Sequence, residues 1–143
     1  MLSKPMQAGN QQGSVLLEAL IAILIFSMGI LAIVGLQAAA IKTVSDSQYR
    51  LEASFLANRL VAQMWTDKSN ITNYAIPGAS ATNAADWLDD VETALPGAAD
   101  HAPTVSISGN ATDGYTVTMQ INWQPAGENS PHNFKTIAYI NTN

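Results

Sequence analysis

One carboxylate stands at the edge of a long uncharged stretch. Glu18 is followed by 23 residues, 19–41, without a single Asp, Glu, Lys or Arg. A carboxylate carried into lipid costs roughly 2.5 kcal/mol or more at the bilayer centre unless it finds a cation or a polar boundary. Five positions before Glu18 lies Gly13, the last residue of a polar leader that contains Lys4 and no acid. Cutting the peptide bond after Gly13 frees an ammonium group on Ser14, and a neighbouring subunit could bring that cation to Glu18. The pair would fix one axial register between two helices. Hydration of Glu18 at headgroup level is the alternative reading.

The rest of the chain offers less chemistry. Asp86, Asp89, Asp90 and Glu92 form an acidic cluster, and hard cations such as calcium want several oxygen ligands. The cluster lacks a loop of alternating ligands with a Gly turn, so a solvated helix face, with acids favoured near its N-terminus, accounts for the same residues. His101 and His132 are the two histidines, and there is no cysteine, which excludes a disulfide framework and a thiolate metal site. No HExxH, Gly-rich phosphate loop or GxSxG occurs, so neither an enzyme nor a bound cofactor is expected. From Ser69 onward there are seven acidic residues against one basic residue, Lys135. That balance repels phosphate backbones and makes direct nucleic-acid binding a poor fit. The sequons at Asn70 and Asn110 carry little weight.

The elements that position Glu18 follow from the charge pattern. Positive charge in the leader keeps it cytoplasmic while the following segment enters the bilayer. The run 19–41 makes roughly 35 Å of helix, enough to span. A secretory signal peptide is one rival, with Ala38-Ala39-Ala40 as a cleavage site, but the run exceeds the usual apolar core of such signals. A plain single-span anchor is another.

Between Gly35 and Pro77 no proline or glycine interrupts the chain. Leu56, Leu60 and Met64 recur every fourth residue, flanked by Phe55, Val61 and Trp65, the pattern of a helix with one buried face. Lys42, Asp46 and Arg50 lie at i, i+4 spacing on a solvated face. One helix is therefore predicted over 14–68, its part 14–41 apolar and its part 42–68 amphipathic. Residues 69–83 read as a connecting loop. A short helix follows, with Trp87, Leu88, Val91 and Leu95 on one face, Thr82 or Asn83 as its cap and Pro96-Gly97 at its end.

After His101 the period changes to two. Strands are predicted over 104–108, 115–123 and 134–140, with a turn at 110–114 and a polar loop at 124–133. The stripe Tyr115, Val117, Met119, Ile121, Trp123 faces the core rather than a ligand. The fold class is α+β, a long N-terminal helix packed against a small antiparallel sheet. The domain plan is 1–13 leader, 14–41 membrane or filament-core helix, 42–68 amphipathic helix and 69–143 globular head.

The stretch Gly13-Ser14-Val15-Leu16-Leu17-Glu18-Ala19-Leu20 resembles the type IV pilin family, whose leader ends in Gly with Glu at the fifth mature position. Ser27-Met28-Gly29-Ile30-Leu31 and Gly35-Leu36-Gln37 look most like the PilV-type minor pilins. The resemblance implies cleavage after Gly13 by a prepilin peptidase, N-methylation of Ser14, and a role for Glu18 in subunit assembly. It implies partners among minor and major pilins and the inner-membrane assembly machinery. The head would be periplasmic and later displayed on a surface pilus serving adhesion, twitching motility or DNA uptake. Three departures stand out: Ser14 replaces the Phe common in major pilins, the usual mid-span Pro is absent, and no C-terminal disulfide loop can form. The 124–133 loop is then the expected variable contact surface. A type II secretion pseudopilin shares this plan, and a membrane-tethered binding module that never polymerises remains a separate class.

Overall fold

The residue types between Gln12 and Thr66 favour helix almost throughout, and one helix, α1 (Gln12–Thr66), occupies them all. The computed structural model describes residues 12–77 and 81–141. The leader's residues 1–11 lie outside the described residues. After α1 come a 3₁₀ helix (Lys68–Tyr74), a second 3₁₀ turn (Ala81–Ala84), α2 (Ala85–Ala94), and strands β1 (Thr104–Asn110), β2 (Gly114–Trp123) and β3 (His132–Ile140). The chain is thus α+β, with the second part of its long helix packed against a three-stranded antiparallel sheet of order β1-β2-β3. Two compact units divide it, Met1–Val44 and Ser45–Asn143.

The described part of the first unit is the apolar stretch of α1. Every residue from Gly13 to Val44 is exposed. Ser27 donates its hydroxyl to the Ile23 carbonyl at 2.7 Å and Thr43 to that of Ala39 at 3.1 Å. Such back-bonding satisfies the hydroxyls within the helix, which lets them sit in an apolar surrounding.

The second unit has a conventional core. From α1 it takes Ala53, Leu56, Ala57, Leu60 and Met64; from the sheet, Val105, Val117, Met119, Ile121, Trp123 and Ile140. Each fully buried large side chain contributes about 1.5–3 kcal/mol. The predicted flanks of this face need correction: Phe55 and Trp65 point outward, while Tyr49, Ala53 and Ala57 take the places beside Leu56 and Leu60. Small Ala residues leave room for the sheet's bulkier side chains, which volume matching demands and an apolar count cannot see.

Helix α1 stops two residues before the predicted end because Asp67 leaves helical geometry and gathers side chains around itself. Its carboxylate accepts bonds from Asn70 Nδ2 at 2.7 Å, the Tyr74 hydroxyl at 3.2 Å and Asn83 Nδ2 at 3.1 Å. Much of the region expected to be loop over 69–83 is 3₁₀ helix instead, burying Ile71 and Tyr74 three residues apart, the spacing at which 3₁₀ side chains eclipse. Residues 78–80 of that expected loop lie outside the described ones. Burial pushes the Tyr74 hydroxyl pKa above its ordinary value of 10.0, Asp67 adds to the rise, and Asn83 opposes it. Neither Thr82 nor Asn83 caps α2: the 3₁₀ turn runs straight into it, Ala84 takes the cap position, and the Asn83 amide serves Asp67.

Helix α2 buries Trp87 and Val91. The Trp87 indole donates to the Leu56 carbonyl at 2.8 Å, and Asp90 pairs with Arg59. β1 and β2 form a hairpin longer than predicted, with β1 reaching Asn110. The Asn110 side-chain Oδ1 accepts the N–H groups of Thr112 and Asp113 at 2.8 and 2.9 Å, the side-chain mimicry of a turn that Asn favours. Gly114 closes it at φ +94°, where a Cβ would also run into Tyr139. Ile76 adds a bridge to Val105, with N···O distances of 2.9 and 2.8 Å. β3 begins at His132 rather than 134, pairing His132 with Trp123, so the loop shortens to 124–131. The sequence hid this start because Asn133 is a poor strand former and Pro131 precedes it.

Candidate functional site

The first two turns of α1 carry the residues singled out for cleavage and pairing. Gly13 lies one residue inside the helix start, and a Cβ built on it would meet nothing within 4 Å. Ser14 and Glu18 are both exposed and, four residues apart, share one face of the helix. Among the described residues no basic side chain stands beside Glu18.

Downstream of Glu18 the large side chains are bare on every side of α1, including Leu24 at 61%, Phe26 at 68% and Leu31 at 73% exposed. It is the one helix among the described residues long and apolar enough to cross a membrane. The second unit repeats the theme on a narrower scale. Leu51, Phe55 and Trp65 are 73%, 59% and 43% exposed, and with Asn58 and Ala62 between them they step by four, three, four and three. That spacing puts them on one stripe, on the side of α1 away from Ala53, Leu56 and Leu60.

This outward stripe is the surface feature that sequence reasoning missed. The 4-3-4-3 spacing was available, but Asn58 interrupts it and the overlapping stripe of core residues masks it.

The remaining candidates do not gather into a site. Asp86 and Asp89 are exposed and Asp90 is engaged by Arg59. Among the described residues no group of three His, Asp or Glu side chains is arranged to hold a metal ion. His101 Nε2 lies 2.7 Å from Gln124 Oε1, and His132 lies at the base of β3. No protein-family model, curated protein or solved structure matches this chain.

Proposed function

We propose that the protein is a structural filament subunit, a minor pilin made as a precursor and cut after Gly13 by a prepilin peptidase. The mature chain would wait as a single-pass inner-membrane protein with its head in the periplasm, then join other pilins in a type IV pilus. It would help initiate or modify assembly, and so support adhesion, twitching motility or DNA uptake, without enzymatic activity. The supporting observation is the uncovered surface of α1. The apolar stretch 19–41 suits lipid before assembly, and the stripe Leu51, Phe55, Trp65 offers a second helix a partner beyond it. Large exposed apolar patches on a folded unit mark interaction surfaces. Methylation of the Ser14 amine belongs to the same proposal.

The test is N-terminal mass analysis of the protein from cells and from sheared pili, with wild type and Glu18→Ala compared. A mature chain beginning at Ser14 that co-purifies with pili, and a Glu18→Ala chain that inserts in the membrane but is missing from pili, are the expected results. An uncut chain in the membrane would assign a tethered binding module instead. Recovery with a secretion apparatus rather than pili would move the protein to a pseudopilus.

A further inference from the structure

Both histidines of the chain hold the same surface loop. Residues 124–131 join β2 to β3, with Ala126, Gly127, Asn129 and Ser130 exposed. At the start of the loop, Gln124 N–H donates to the Pro96 carbonyl at 2.8 Å and its side-chain amide donates to the Glu128 carbonyl at 2.6 Å. With the amide nitrogen so used, Gln124 Oε1 faces His101 Nε2 at 2.7 Å and accepts its N–H. A neutral imidazole supplies that single donor as well as a charged one.

The other end differs. His132 Nε2 meets the Glu128 carboxylate, and Nδ1 lies 3.0 Å from Asp46 Oδ1 on α1. A neutral ring has one N–H and one lone pair, so it serves one carboxylate and turns its lone pair on the other; only the imidazolium suits both. Asp46 Oδ1 is buried and accepts no hydrogen bond among the described residues, His132 included, so what the ring offers it at 3.0 Å is charge, which only the imidazolium carries. Arg50 contributes from the same helix, 3.4 Å from Asp46 Oδ2, and also lies 6.0 Å over the Trp123 ring. Trp123 in turn stacks on His132, with centroids 5.9 Å apart and planes at 26°. His132 and Glu128 side chains are 22% and 16% exposed, well below the exposure at which an ion pair is worth almost nothing.

We propose that residues 124–131 form a proton-controlled strap, which charged His132 fastens to α1 by bridging Glu128 and Asp46. The groups facing the imidazole are Asp46 and Arg50 from α1, Trp123 from β2 and Glu128 from the loop. Loss of the proton removes one of the two bridges, and the carbonyl, amide and hydroxyl groups of the exposed loop then lose their fixed arrangement. The His101 end stays fastened, so release is confined to the half around Glu128. This strap does not depend on filament assembly, because all of its parts belong to the second unit.

The test is hydrogen–deuterium exchange of the full chain in detergent micelles at about pH 5.5 and about pH 8.5, on either side of the ordinary imidazole range, with rates corrected for base catalysis. Protection over 124–131 falls at least about fivefold at the higher pH, whereas peptides from β1 and β2 are unchanged. In His132→Asn the half of the loop around Glu128 shows the high-pH exchange at both pH values, and in His101→Asn the pH response persists. Equal corrected protection of the wild-type loop at both pH values overturns the proposal, and that comparison needs no variant to fold. A pH response retained in His132→Asn overturns it as well.

Discussion

The two parts of α1 have the same backbone and opposite surroundings. From Gly13 to Val44 every residue of the helix is exposed, whereas from Ala53 to Met64 one side of it is sealed by the sheet and α2. The backbone hydrogen bonds of a helix are internal to it, so the first part closes its own polar groups without a covering layer. Stability of the head does depend on it. An apolar side chain in the first unit is available to an outside partner, while one on the inner face of the second unit is already engaged.

The comparison breaks most readily at Trp87, which is both buried and bonded to the Leu56 carbonyl. Trp87→Ala is expected to lower head stability by about 3–5 kcal/mol in urea unfolding, while Leu24→Ala leaves the same midpoint within about 0.5 kcal/mol. Equal effects would mean that the first unit contributes to the fold of the head. Next comes the hairpin, where Gly114→Val forces a branched side chain to φ +94° against Tyr139. A loss of about 2 kcal/mol or more is expected, measured in the same way.

Asn110→Ala removes both acceptor contacts of the turn and should cost about 1 kcal/mol. Phe55→Ser sharpens the contrast within the second unit itself. Its midpoint should stay within about 0.5 kcal/mol of wild type, because the ring is exposed, while recovery of the protein in sheared pili falls.

The smallest effect is the one at Tyr74. Its folded pKa is raised by burial first and Asp67 second, so the folded state holds the phenol proton more tightly than the unfolded chain does. Stability from this group is fully present below the ordinary value of 10.0 and is lost as pH rises through it toward the raised folded value. Urea midpoints at about pH 9 and about pH 11 should therefore converge when wild type is compared with Tyr74→Phe, which has no such proton to lose.

Much of the architecture was legible because it rests on periodicity. The uncharged run after Glu18, the four-residue recurrence of Leu56, Leu60 and Met64, and the alternation from Val117 to Trp123 each reflect a local geometry that the pattern encodes directly. The spacing of Gly13, Ser14 and Glu18 is equally plain in the sequence, and the roles proposed for them wait on the N-terminal mass analysis. Less legible were the places where polar side chains choose among competing partners. Asp67 draws in Asn70, Tyr74 and Asn83 and so ends α1, turns an expected loop into 3₁₀ helix and takes away the expected cap of α2.

The sequence by itself determined that one long helix would carry a lone carboxylate, a span and an amphipathic continuation toward an antiparallel sheet. Hydrophobic period and the absence of helix breakers act locally, so they need no knowledge of the fold. Only the tertiary structure decided which apolar side chains of the second unit face outward, because Phe55 and Leu56 are chemically equivalent until the sheet covers one of them. It alone brought Asp46, Glu128 and His132 together, since 82 residues separate Glu128 from Asp46 and only chain folding closes such a distance.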